Sequence, residues 1–538
     1  MNRYIVVLGG YSEVGKGTLV SSIGYLLQEM GYQVGVLKFD GLLNYNKGNK
    51  DRYHEHSQLH PPRAHEEVFV LADGYEGAAD LGNYERFLDK DLDAQANLTG
   101  GQVFRELVER DLNHQFLPGE FLTFHTIRWL CQKRLRQVSA DVDVTLVEIG
   151  GTVGDVESSY FWDALLELRE EPDVTMQFIL IAPLIEPLSE HIYTSRTKLI
   201  RQTCTLMRRR GMKPSTIVCR CQNDEDLEEA ARTTIATVCR IPSECIFVSP
   251  QLESIYELPT RLDKQGLMHV LGWQPVHKNE NTKITGRLES YVGKRSYCQE
   301  SQEPHRILIL SDGMGCDSYT SLNEALEHSA TAIGKRILTH WIFEENQYTE
   351  LEKEGGLAAY DALIVGESNR FIEEKLKYIQ IARRKCCPFL GLSIGFDLAA
   401  VEFARNVCGL LDTIPQDLFT QNTHLLHITP LKLGSHAITL HLNTQAYAIY
   451  RNEEQVYERF RKCTVLTCAM QEKLAKAGLI FSGIGDTGEP EILELLEHQF
   501  FIAIQAHPEY KSHPGRPHPL FVHFVRQIGK LAQYNSVK

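Results

Sequence analysis

A short apolar run, Val6-Val7-Leu8, ends in Gly9-Gly10 and is followed by a segment of helical character that starts at Lys16-Gly17-Thr18 and continues to Leu27. An apolar run closed by glycine reads as a buried strand, and the segment after it as a helix packed on that strand. The pattern recurs. Gln33–Asp40, Asp143–Gly151, Met176–Ala182, Thr216–Cys219 and Ile246–Val248 are further short apolar runs separated by helical stretches, which predicts a doubly wound parallel sheet. Residues 103–138 carry helical periodicity broken near Pro118-Gly119, and residues 41–65 are polar and aperiodic, a long loop or lid. After a polar stretch at 277–305, read as an interdomain linker, strands return at Arg306–Ser311, Ala362–Val365, Phe389–Gly391 and Phe501–Ala506. The pattern therefore divides the chain into a domain at 1–276, a linker at 277–305 and a second α/β domain at 306–538.

Composition narrows the class. At 538 residues the chain is too long for one core, and 43% hydrophobic with 23% charged content is ordinary for a soluble globular protein. A net charge of −14 argues against non-specific partnership with nucleic acid or an anionic membrane. Thirteen cysteines, an odd number without framework spacing, suit a reducing compartment. Cys219-Arg220-Cys221 is too tightly spaced for a zinc knuckle and reads as strand packing. No charged-then-apolar leader opens the sequence, and no apolar run is long enough to span a bilayer, so the expectation is a cytosolic protein.

The first turn carries the clearest chemistry. Gly10, Ser12, Glu13, Val14, Gly15, Lys16, Gly17 and Thr18 have the spacing of a phosphate-binding loop, in which backbone N–H groups, a helix start and one lysine converge on an anion. Gly17 stands where Ser or Thr usually holds magnesium, leaving Thr18 as the nearest hydroxyl. Lys38 and Asp40 end the second strand, at the edge where parallel sheets bind ligands. Glu148 ends the third of these strands; with Asp80 it is a candidate Mg²⁺ ligand, or else it caps a loop.

Several blocks resemble the CTP synthase family: His65-Glu66-Glu67-Val68-Phe69-Val70, Asp80-Leu81-Gly82-Asn83-Tyr84-Glu85-Arg86-Phe87, Val147–Ser158 and Glu253–Pro259. The resemblance covers nearly the whole chain. It implies a P-loop-type amidoligase domain that uses MgATP to phosphorylate the 4-oxygen of UTP, after which ammonia displaces phosphate, and a class I glutamine amidotransferase domain behind it. On that resemblance Lys16 and Lys38 neutralise charge in phosphoryl transfer, Asp80 and Glu148 hold Mg²⁺, and Asp155 and Glu157 join the nucleotide-binding residues. Arg196, Lys198 and Arg201 form a basic cluster for the triphosphate. A homotetramer is also implied.

The departures concern recognition. Lys38-Phe39-Asp40-Gly41-Leu42 and the unrelated lid replace family segments, Leu122 and His125-Thr126 fall where the family has groups near the pyrimidine and ammonia path, and Thr234 replaces a triphosphate lysine. In the second domain the family's Cys-His-Glu triad becomes Ser393, His507 and Glu509, on the turn Gly391-Leu392-Ser393-Ile394-Gly395. A serine hydroxyl is far less acidic than a thiol. The oxyanion-hole segment aligns with Gly366-Glu367-Ser368, the glutamine-contacting Gln with Asp397, and a family arginine-rich segment with Arg459-Phe460-Arg461-Lys462-Cys463. These losses point to a retained shell without glutaminase activity. The leading expectation is an ATP- and Mg²⁺-dependent ligase acting on UTP or a related pyrimidine nucleotide with free ammonia or another amine. The rivals are a catalytically silent regulatory paralogue of CTP synthase and a Ser-His-Glu hydrolase.

Overall fold

The computed structural model describes residues 2–11, 13–43, 67–115, 124–184, 197–222, 227–276, 286–311, 319–366, 370–410, 419–420, 432–461 and 464–529. They form two compact units, one from residues 1–61 and 83–292, the other from 62–82 and 293–538.

In the first unit, strands β1 (Asn2–Gly9) and β2 (Val34–Asp40) join a seven-stranded sheet, while the short β3 (Val68–Val70) and β4 (Glu76–Ala78) pair as a hairpin that belongs to the second unit. The sheet is completed by β5 (Asn97–Thr99), β6 (Val144–Ile149), β7 (Val174–Pro183), β8 (Thr216–Arg220) and β9 (Ile246–Ser249). Its order is β5-β2-β6-β1-β7-β8-β9, and every pairing is parallel. The central β1 is buried from Tyr4 to Leu8, and its even positions join Phe39, Leu135, Phe161 and Leu165 in one core. Helices cover both faces, as continuous apolar strands require. The predicted doubly wound architecture is what forms.

The second unit holds β10 (Pro304–Leu310), β11 (Arg336–Ile342), β12 (Ala362–Val365), β13 (Phe389–Leu392), a small pair β14 (Phe419–Thr420) and β17 (Val465–Leu466), β15 (Gly434–Leu440), β16 (Gln455–Phe460), β18 (Ile480–Gly485), β19 (Pro490–Glu494) and β20 (Phe501–Ile504). Nine of these make a mixed sheet of order β11-β10-β12-β13-β20-β19-β18-β15-β16, parallel from β11 to β20 and antiparallel beyond.

Two expectations need correction. The segment read as a linker contains a helix, Arg287–Ser301. Its apolar positions are sparse, but Leu288, Tyr291 and Cys298 are all buried, and the Arg287 guanidinium donates to the carbonyls of Arg86 and Phe87. The stretch 62–82 lies within the predicted first domain, yet packs in the second unit. There Tyr510 OH donates to Val68 O at 3.1 Å, Arg459 Nη1 to Val70 O at 3.1 Å and Ser435 N to Ala72 O at 2.8 Å. Arg461 Nε meets Glu76 Oε1 at 3.2 Å, both almost fully buried. Partners hundreds of residues apart leave no local signal.

Candidate functional site

The phosphate-loop candidate sits where β1 ends. Glu13 (φ 56°) and Gly15 (φ 95°) both take left-handed backbone conformations, which turn the chain into the helix Lys16–Glu29. Gly10 has no room for a side chain: a Cβ there would stand 2.7 Å from Ala182 Cβ and 3.1 Å from Thr203 Oγ1. Lys16 folds back over Gly9, is 8% exposed and donates from Nζ to Gly151 O at 2.9 Å, in the loop after β6. Three strand ends and one lysine thus converge, because β6 and β7 flank β1 in the sheet.

The register supplies the next pair. Lys38 on β2 is the direct neighbour of Glu148 on β6, and Lys38 Nζ lies 3.5 Å from Glu148 Oε1. Tyr84 donates its hydroxyl to the other carboxylate oxygen, Oε2. Both charged side chains are buried, so a positive and a negative group are held out of water at the ligand edge of the sheet. Asp80 lies one turn before Tyr84 on the helix Ala79–Leu88. A buried carboxylate beside a phosphate loop is the hard oxygen donor that Mg²⁺ takes, and Glu148 fits it. Among the described residues, no group of three or more His, Cys, Asp or Glu is preassembled for a metal.

The predicted nucleotide residues separate by position. Gly10, Glu13, Val14, Gly15, Lys16, Gly17 and Thr18 form the loop and first helical turn; Ser12 and Arg196 lie outside the described residues. Asp155 is occupied locally: its carboxylate accepts from Thr152 N at 2.6 Å and Thr152 Oγ1 at 2.7 Å, capping the turn after β6. Glu157 is exposed two residues on. Lys198 and Arg201 stand one turn apart in the first turn of the helix Lys198–Arg209, whose Thr203 is the residue that crowds Gly10. That helix start adds partial positive charge to the two side chains.

In the second unit Ser393 caps β13 and starts the helix Ile394–Asn406 with φ 53° and ψ −113°, a left-handed conformation costly for a residue with a side chain. The two flanking glycines make this turn. A Cβ on Gly395 would stand 2.2 Å from Val365 O, and one on Gly391 2.7 Å from Ala503 Cβ. Parallel pairing of Leu392 with Ile504 brings Ser393 and His507 to the ends of adjacent strands. His507 is buried, its Nδ1 lies 2.8 Å from Glu509 Oε1 and its ring stacks on Tyr510 at 5.3 Å. Glu509 thereby fixes Nδ1–H as a donor and leaves Nε2 as the nitrogen able to accept a proton.

A profile described as the CTP synthase N-terminus matches residues 3–274, and one described as glutamine amidotransferase class-I matches residues 315–527. The CTP synthase of Pyrococcus furiosus is 34% identical over 558 residues, covering 100% of both chains. The chain belongs to the CTP synthase family. The CTP synthase of Thermococcus gammatolerans is also 34% identical, over 98% of each chain. Among solved structures, the glutaminase domain of Trypanosoma brucei CTPS with bound acivicin aligns at 26% identity over 41% of this chain and 93% of that one, with a TM-score of 0.37.

Within this CTP synthase family member, the positions around the elbow have their own chemistry. Asp397, one turn into the elbow helix, is buried; burial pushes its pKa up to about 7, against the hydrogen bond from Thr464 Oγ1 at 2.6 Å. Thr464 N donates to Gln505 Oε1 at 2.8 Å, and Gln505 Nε2 donates back to Thr464 O at 2.9 Å. Thr464 and Gln505 were invisible to motif reading, as was Tyr84 as a partner of Glu148; only the sheet brings them in. Gly366 is placed after β12, whereas Glu367, Ser368, Lys462 and Cys463 lie outside the described residues. Arg459 and Arg461 are both buried and are held by the hairpin β3–β4, on Val70 O and Glu76. No helix among the described residues is long and apolar enough to cross a membrane.

Proposed function

We propose that the chain is an ATP-dependent amidoligase of the CTP synthase type that aminates UTP or a related pyrimidine nucleotide with free ammonia or another amine, its glutaminase site being a shell. The observation that carries the ligase reading is the buried cluster of Lys16, Lys38 and Glu148 at the carboxyl ends of β1, β2 and β6. Three charges are kept out of water only where something is gained by it, and a phosphoryl-transfer site gains electrostatic stabilisation.

In this reading the loop Gly10–Thr18 and Lys16 hold the transferred phosphate, while Lys38 stands ready to neutralise charge on the acceptor side. Lys198 and Arg201 hold the acceptor's phosphates. Glu148, with Asp80 as second oxygen donor, would hold Mg²⁺, which would supply positive charge against the phosphates. The uracil 4-oxygen takes the γ-phosphoryl group with release of ADP, and the amine then displaces phosphate from carbon 4.

Three features support loss of glutamine use: a serine at the elbow, a buried carboxyl at Asp397 and an acid, Glu367, in the oxyanion segment. Subunit assembly as a homotetramer is supported by the helix Gly100–Leu112, on which Phe104, Val108 and Leu112 form an i, i+4, i+8 stripe with exposures of 37%, 56% and 71%. Incubation with UTP, MgATP and either NH₄⁺ or glutamine, following CTP and ADP, tests the reading. Product from NH₄⁺ alone supports it; equal product from glutamine overturns the glutaminase claim.

A second reading, favoured by the strained elbow and the His507–Glu509 pair, makes Ser393 the nucleophile of a hydrolase. Fluorophosphonate labelling of Ser393 that disappears in His507→Ala would establish it.

A further inference from the structure

The helix Ala79–Leu88 turns one face inward: Leu81, Tyr84, Phe87 and Leu88 are all buried, at the spacing of an apolar helical stripe. Tyr84 is the polar member in the middle of that face and has no solvent exposure. A phenol so placed needs a partner for its hydroxyl, and it donates to Glu148 Oε2.

Glu148 cannot be re-aimed by its backbone, because β6 pairs on both sides, placing Glu148 beside Lys38 of β2 and Val7 of β1. Only its side-chain torsions remain. Each carboxylate oxygen faces a different neighbour: Oε1 faces Lys38 Nζ at 3.5 Å, and Oε2 takes the phenol. At that distance the ammonium stands beyond the range of about 2.7–2.9 Å of a direct charge-assisted hydrogen bond. Opposite charges shielded from water attract strongly, so a carboxylate free to rotate gains by closing the gap.

We propose that Tyr84 is a positioning residue for divalent-metal binding: its hydroxyl fixes the rotation of the Glu148 carboxylate and stops it closing onto Lys38, which keeps Oε1 open to exchange with the cation that accompanies a nucleoside triphosphate. The proposal rests on the ligase reading, in which Glu148 holds Mg²⁺. Hydrogen-bond partners of a ligating carboxylate contribute about ten- to a hundredfold to metal affinity.

The test compares the affinity of the full chain for adenylyl imidodiphosphate, an ATP analogue that resists hydrolysis, in excess Mg²⁺ and in EDTA. The ratio of the two affinities is the coupling between metal and nucleotide; complex formation in solution is common to every variant and cancels. In Tyr84→Phe the ratio should fall about tenfold or more while the affinity in EDTA stays at the parent's value. Phenylalanine keeps the ring packed in the apolar face, and melting temperatures check the fold of each variant. Lys38→Met reads the same geometry independently: with the competing ammonium gone, the ratio should rise above the parent's. Glu148→Gln, measured alongside, should remove most of the ratio. A ratio that depends on Glu148 but is unchanged in Tyr84→Phe, or lowered in Lys38→Met, would overturn the inference and leave the ligase reading standing. So would an equal fall of both affinities in Tyr84→Phe, which would make the phenol a packing group alone. A parent that binds no analogue, or whose ratio is indifferent to Glu148→Gln, would overturn both.

Discussion

Lys38 Nζ and Glu148 Oε1 stand 3.5 Å apart on neighbouring parallel strands whose register makes the two residues direct partners. The pair is buried, so removing one member strands the other. Lys38→Met should lower stability by about 3–5 kcal/mol, and Lys38→Met/Glu148→Gln should recover much of it. Ligase activity should fall by roughly a hundredfold or more in both, because positioning and charge are lost either way. Chemical denaturation beside an ADP-release assay separates the two effects. Recovery of activity in the double variant would show that the pair is structural.

Asp397 makes stability depend on pH in a defined direction. Its folded pKa, about 7, lies above the ordinary value of 3.8. The folded state therefore holds the proton more tightly than the unfolded state. That contribution is full below the ordinary value and is lost as pH rises through about 7, amounting to an order of a few kcal/mol. Asp397→Asn should gain stability relative to the parent between pH 5 and pH 8, a difference read from paired denaturation curves. A constant offset across that range would exclude the effect.

Ser393→Ala should leave ammonia-dependent amination unchanged. Ser393→Cys restores the thiol yet should still give no glutamine-dependent product, since Asp397 and Glu367 remain. Glutamine use appearing in Ser393→Cys alone would locate the whole loss at one atom.

The elbow tolerates no side chain at its second glycine. Gly395→Ala would place Cβ 2.2 Å from Val365 O, and backbone cannot retreat cheaply. A loss of about 1–3 kcal/mol is expected, seen as a lower melting temperature with the first unit's nucleotide binding intact.

Leu112→Asp and Val108→Asp charge the apolar stripe on the helix Gly100–Leu112 without touching a buried core residue. Sedimentation should show smaller species than the parent protein at equal concentration. An unchanged mass would remove that stripe from subunit contacts.

Local pattern determined much of this molecule. Short apolar runs separated by helical or polar stretches placed β1, β2, β6 to β10, β12, β13 and β20 to within a few residues, because a strand buried on both faces must be apolar throughout. The spacing Gly10–Gly15–Lys16 and the glycines around Ser393 marked both turns, since left-handed or crowded backbone demands small residues at fixed positions. Tertiary structure decided the rest. The helix Arg287–Ser301 holds through a few buried contacts that leave a weak period, and hairpin β3–β4 takes its place from Arg459, Arg461 and Tyr510, hundreds of residues away. Strand register alone seats Lys38 beside Glu148, and burial alone makes Asp397 reluctant to ionise. Sequence records which groups are present; the energy of a charge depends on what the fold packs around it.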